Sequence, residues 1–112
     1  MGPHILVVES YADLRAGIVA ALEHYEYSCD AVASAEAAML KLREHAYAYV
    51  VLDVDAASPQ DTREVVSALG EANVILISDG DPREPHSEHV AMLRKPFSRD
   101  ELLAQLRSIP VC

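Results

Sequence analysis

Four apolar runs in this 112-residue chain lead into polar side chains: Ile5 to Val8 into Glu9, Tyr49 to Leu52 into Asp53, Val74 to Ile77 into Ser78, and Val90 to Leu93 towards Lys95. Two carboxylates, a hydroxyl and an ammonium form a chemically matched set. A carboxylate brings a ready negative charge to attack phosphorus, while fixed positive charge and a hydroxyl donor stabilise the phosphoryl oxygens. Magnesium suits such a set, because it takes hard oxygen ligands, keeps several waters and needs only one or two carboxylates plus the phosphoryl group. The pattern therefore points to phosphoryl capture.

Such a set works only if one scaffold brings its members to one place. The apolar runs alternate with segments of helical periodicity, which is the sequence sign of strands joined by crossover helices. Five strands are expected, at Ile5 to Val8, Tyr27 to Ala33, Tyr49 to Leu52, Val74 to Ile77 and Val90 to Leu93. The third and fourth are nearly continuous hydrophobics, as parallel strands covered on both faces should be. Leu14, Ile18, Leu22 and Tyr25 fall on one face of a first helix, Ala35, Met39 and Leu42 on that of a second, and Val65, Val66 and Leu69 mark a third that Gly70 should end. Ser98 and Glu101 form a capping box ahead of Leu102, Leu103, Leu106 and Ile109, the buried stripe of the last helix. Between Asp79 and Glu88, Pro82 and Pro85 leave no room for a crossover helix of normal length, so that helix is expected to be short or absent. In a parallel α/β sheet, function gathers beyond the carboxyl ends of the strands. Glu9, Asp53, Ser78 and Lys95 all belong to that rim.

Composition excludes several other classes. The length suits one domain, residues 1–112, able to bury a core without disulfides or structural metal. No apolar stretch approaches the ~20 residues that cross a bilayer, and no signal peptide or output domain is expected. Eighteen acids against nine bases give a formal charge of −9, which opposes binding to nucleic acid or anionic membranes. Cys29 and Cys112 match no metal or redox spacing and read as plain thiols of a reducing cytoplasm. His86 and His89 lack a third ligand of matching spacing, and the tyrosines at 25, 27, 47 and 49 read as core and strand residues.

The residues resemble the receiver domains of two-component response regulators. "ILVVES" is similar to their first strand with its acidic pair, "VVLD" to the strand carrying the phosphoacceptor, "VILIS" to the strand ending in a hydroxyl, and "RKPF" to the lysine-proline motif. The resemblance covers essentially the whole chain. It implies a flavodoxin-like, doubly wound five-stranded parallel sheet in the order 2-1-3-4-5. It further implies that Asp53 accepts the phosphoryl group, that Lys95 pairs with it, and that Ser78 donates its hydroxyl to a phosphoryl oxygen. Glu9 and Asp53 would ligate magnesium by side chain, with the backbone carbonyl of Asp55 as third protein ligand. A cis peptide is implied between Lys95 and Pro96. The implied partners are a sensor histidine kinase or phosphotransfer protein and a downstream protein, and the domain is a signalling phosphoacceptor rather than an enzyme acting on others.

The chain departs from that pattern in places. Ser10 stands where receivers have their second acid, and a serine is a poor magnesium ligand beside a carboxylate; with Asp13 three residues on, it also reads as the N-cap of the first helix. Asp55 adds a carboxylate near the acceptor, and Met92 occupies the place of the usual aromatic switch residue. These departures keep a second reading open, a pseudo-receiver that acts as a phosphorylation-independent interaction module. A nucleotide- or flavin-binding role is disfavoured, since "ESYAD" offers no glycine for a phosphate to approach.

Overall fold

Side chains alternate across a strand, so the first strand already sorts the core into two layers. The computed structural model of the chain describes residues 4–56, 58–68, 73–78 and 90–108. Its elements are β1 (His4–Val8), α1 (Ala12–His24), β2 (Ser28–Val32), α2 (Ala35–Glu44), β3 (Tyr49–Asp53), a 3₁₀ turn (Val54–Ala56), α3 (Pro59–Ala68), β4 (Asn73–Ser78), β5 (Val90–Arg94) and α4 (Arg99–Ser108). All neighbouring strands pair in parallel, in the order β2-β1-β3-β4-β5. This is the flavodoxin-like sheet that the resemblance implied.

Ile5 and Val7 of β1 join Tyr49, Val51, Ile75 and Ile77 on one face, where Ile18 and Leu22 of α1 and Leu102, Leu103 and Leu106 of α4 cover them. Leu6 and Val8 join Val50, Leu52, Val74 and Leu76 on the other, under Ala35 and Ala38 of α2 and Val65 of α3. Every residue of β3 and β4 is buried, whereas the edge strands β2 and β5 are only partly covered. Each fully buried Leu or Ile contributes roughly 1.5–3 kcal/mol, so the two central strands and their covering helices supply most of the folding free energy.

Local chemistry sets the helix ends. At α4 the capping box closes reciprocally: the Ser98 N–H donates to Glu101 Oε1 at 3.0 Å and the Glu101 N–H to Ser98 Oγ at 3.1 Å. Ser34 Oγ accepts the Ala37 N–H to start α2, and Ser58 Oγ accepts the Asp61 N–H ahead of α3, whose first residue is Pro59. α1 differs from expectation. Its N-cap is Tyr11, whose side chain has no short-range oxygen to cap with and makes no cap hydrogen bond; the Tyr11 N–H donates to the Glu9 carboxylate, and Ser10 is exposed and does not cap. Tyr25 likewise does not join the buried stripe: α1 ends at His24, and Tyr25 follows it, 38% exposed. β2 is shorter than read, because an edge strand pairs only along the residues that oppose β1. The short or absent crossover helix before β5, the end of α3 at Gly70, and Ile109 lie outside the described residues.

The turn from α1 into β2 stores a small strain. The Glu26 N–H donates to the Glu23 carbonyl and the Tyr27 N–H to the Leu22 carbonyl, the paired bonds of a Schellman ending, and Glu26 therefore sits at φ 69°. Glycine takes that conformation without a Cβ penalty. Glu26→Gly is expected to raise the unfolding free energy by about 0.5–1 kcal/mol, and Glu26→Val to lower it, as read from urea midpoints. Equal midpoints for the two variants would contradict the strain.

Candidate functional site

Beyond the carboxyl ends of the strands, the sheet collects the expected residues. Asp53 is the last residue of β3 and Glu9 directly follows β1; both are buried, 2% and 1% exposed. β1 pairs with β3, so the two acids end adjacent strands. Lys95 directly follows β5, and its N–H donates to the Ser78 carbonyl at 2.9 Å, which fixes the exit of β5 against the end of β4. The Lys95–Pro96 peptide is cis.

From that position the Lys95 ammonium enters the acidic cluster. Nζ lies 2.5 Å from Asp53 Oδ2, 3.9 Å from Glu9 Oε1 and 3.8 Å from Asp55 Oδ2. The other Asp53 oxygen, Oδ1, accepts the Asp55 N–H at 2.9 Å, made available by the 3₁₀ turn that begins right after the strand. Asp53 is thus held from both sides. Ser78 is a buried residue at the same rim, tied to Lys95 through its carbonyl. Asp55 is exposed. Ser10 faces solvent and brings no carboxylate.

Glu9 is held differently. Its N–H donates to the Val32 carbonyl at 3.0 Å, its Oε2 accepts the Tyr11 N–H at 3.1 Å, and Arg15 Nη1 donates to its backbone carbonyl at 2.9 Å. Oε1 has no hydrogen-bond partner among the described residues. The Arg15 anchor was not read from the sequence, because a guanidinium one turn into a helix carries no local sign of the carbonyl it will reach.

The two buried acids are pushed in opposite directions. Burial pushes the Glu9 carboxyl up from 4.5 to about 7, helped by the neighbouring Asp53 carboxylate and opposed by the Tyr11 amide and Lys95. Burial also raises Asp53, but a hydrogen bond from Glu9, the Lys95 ammonium and the Asp55 amide together outweigh it and hold this carboxyl below its ordinary value. Near neutrality Asp53 is therefore ionised, while Glu9 changes between acid and carboxylate.

Other titratable groups belong to the framework. Tyr47 donates its hydroxyl to Asp30 Oδ2 at 2.7 Å, with His4 Nε2 3.2 Å from the same oxygen, towards the opposite end of the strands. This hydrogen bond lowers the Asp30 pKa, while burial raises that of Tyr47. Cys29 is a half-buried free thiol, pushed up to about 11 chiefly by burial, and so is a poor nucleophile. Met92 lies half-buried in β5, opposite Leu76.

Comparison with known proteins places this geometry. The family profile of the flagellar regulatory protein FleQ matches residues 4–109. No curated protein sequence matches. Among solved structures, the chain is similar to the chemotaxis protein CheY4 of Vibrio cholerae, with a TM-score of 0.83 at 18% identity over 98% of this chain and 100% of that one. It is similar to a CheY-like response regulator receiver domain from Methylobacillus flagellatus, with a TM-score of 0.82 at 21% identity over 98% of this chain and 100% of that one. It also matches NtrX from Brucella abortus, with a TM-score of 0.80 at 23% identity, covering 97% of this chain and 26% of that one. These likenesses carry the fold. No helix among the described residues is long and apolar enough to cross a membrane.

The raised Glu9 carboxyl has a stability consequence of definite sign. A group whose pKa is higher folded than unfolded stabilises the fold below its unfolded value and loses that contribution as pH rises through the folded value. Unfolding free energy should therefore fall between about pH 5 and 8, by at most roughly 3 kcal/mol from Glu9. Asp53 acts oppositely, its contribution fading in acid as pH falls through its lowered value. Urea unfolding of the wild type and Glu9→Gln across pH isolates the first effect. A flatter profile in the variant is expected, and parallel profiles would contradict the assignment.

Proposed function

The chain belongs to the family of the flagellar regulatory protein FleQ and has a receiver fold, and from that premise we propose that it is a phosphoacceptor signalling domain that takes a phosphoryl group on Asp53. One observation carries this reading: Asp53 is buried yet ionised, with Lys95 on one oxygen and the Asp55 amide on the other. A buried carboxylate kept charged in this way is a positioned nucleophile that needs no general base. On transfer from a phosphohistidine, the phosphorus–nitrogen bond breaks as a phosphorus–oxygen bond to Asp53 forms, and the product is an acyl phosphate. Lys95 then pairs with a phosphoryl oxygen and the Ser78 hydroxyl donates to another.

The cluster also fits magnesium, though sparsely. Among the described residues no three acidic, histidine or cysteine side chains converge as a ready metal cage. What converges is the pair Glu9 and Asp53, all hard oxygen donors, with Glu9 Oε1 buried and without a hydrogen bond among the described residues. One or two carboxylates suffice for this ion. Glu9 and Asp53 would hold it by side chain and Asp55 by its carbonyl, and the ion supplies neutralisation of phosphoryl charge when bound. Glu9 must release its proton to serve, so occupancy rises with pH through about 7.

A sensor histidine kinase or phosphotransfer protein is the fitting donor, and the setting is the cytoplasm. Residues 1–112 act as one receiver unit that passes its state to a downstream protein, in a regulatory role of the kind named by the FleQ family. The pseudo-receiver reading has one observation in its favour: Ser10 is exposed where a second acid would be, leaving protonated Glu9 as the neighbour of Asp53.

Intact-mass spectrometry after incubation with acetyl phosphate, with and without magnesium, separates the two. A phosphoryl adduct on the wild type that requires magnesium and is absent from Asp53→Asn is the expected result. No adduct, even from a histidine-kinase donor, would leave the pseudo-receiver standing.

A further inference from the structure

α2 and α3 lie side by side on the sheet face built from Leu6, Val50 and Leu52, away from α1 and α4. Their inward residues, Ala35, Ala38 and Val65, are spent on the core. Between their outward edges runs a groove of ≈ 420 Å³. Ala35 and Met39 line it from within, and Leu40 stands at its side, 56% exposed. A leucine left in water forgoes roughly 1.5–3 kcal/mol of burial. Single exposed leucines are ordinary, but this one borders a concave apolar strip.

The charges around that strip are one-sided. Glu36 of α2 and Asp61 and Glu64 of α3 line the groove, against one cation, Arg43, among the described residues that line it. Spacings of three and four residues align Glu36, Met39, Leu40 and Arg43 along α2, and Asp61 with Glu64 along α3. Glu64 has only a long, exposed contact from Gln60, at 3.4 Å. An apolar strip between acidic walls complements a helix with an apolar stripe flanked by lysine or arginine.

We propose that the α2–α3 groove is the docking site for a basic amphipathic helix of a partner protein. A second copy of this chain is a poor occupant, because two molecules of charge −9 would bring the same acids face to face. Anionic lipid and nucleic acid are repelled for the same reason. The partner's apolar residue seats against Met39 and Leu40, and its cations lie along Glu36, Asp61 and Glu64. This surface does not depend on phosphorylation of Asp53.

The probe is a helical peptide with a leucine stripe flanked by lysines, paired with a control that keeps the stripe and replaces lysine by glutamate. Amide shifts of the labelled protein should move saturably and with salt sensitivity over residues 35–43 and 60–65 for the lysine peptide only. Leu40→Gln, at an exposed position, should weaken binding about tenfold or more while leaving the remaining spectrum unchanged. Asp61→Asn with Glu64→Gln should weaken it and reduce its salt dependence. Shifts centred on the Asp53 rim, no saturable binding, equal binding of the glutamate peptide, an unaffected Leu40→Gln variant, or a dimer through this face in sedimentation would each overturn the proposal.

Discussion

The ion pair between Lys95 and Asp53 is the constraint on which the rest of this structure turns. A buried carboxylate is tolerated only if charge and hydrogen bonds replace the water it loses, and leaving one partner of such a pair alone costs about 3–5 kcal/mol. The pair joins the end of β3 to the residue after β5, and β4 lies between them in the sheet. It therefore requires all three strands to be parallel and in register at their carboxyl ends. The Lys95 N–H on the Ser78 carbonyl and the Asp55 N–H on Asp53 Oδ1 are the backbone devices that hold that register. The site and the fold share these bonds, so neither can shift without the other.

The same pair decides which acid carries charge. Glu9 and Asp53 are comparably buried, yet Asp53 alone has both the ammonium in close contact and an amide on its second oxygen. Glu9 has the Tyr11 amide on one oxygen and, among the described residues, no hydrogen bond on the other, with the ammonium 3.9 Å away. Asp53 is consequently driven to the carboxylate and Glu9 towards the acid. On the proposed function, Asp53 would be the nucleophile and Glu9 a cation ligand that must first lose its proton. Ser10, lying in solvent, adds no carboxylate to the cluster.

Much of this was legible in the chain itself, for physical reasons. Strands buried on both faces write themselves as unbroken apolar runs, which is why β1, β3 and β4 and the polar residues that follow them could be placed to within a residue. The capping box of Ser98 and Glu101 was readable because its partners are three residues apart. Other features were not, because they are made by contact across the fold. Nothing local shows that Glu9 will take the Tyr11 amide and displace Ser10 as cap, that Arg15 will reach back to the Glu9 carbonyl, or that Tyr25 will fall past the end of α1. The α2–α3 groove has the same character, since its walls come from two helices separated by β3.

The division of charge between Asp53 and Glu9 is open to direct observation by carbon-detected NMR of the two side-chain carboxyls as a function of pH. Asp53 is expected to remain ionised throughout the neutral range and to titrate only in acid, while Glu9 changes state near 7. Lys95→Met should move the Asp53 midpoint upward, because the ammonium, one of the groups that together outweigh its burial, is gone. A Glu9 midpoint near its ordinary 4.5, or an Asp53 carboxyl that is already protonated at neutral pH in the wild type, would contradict the account.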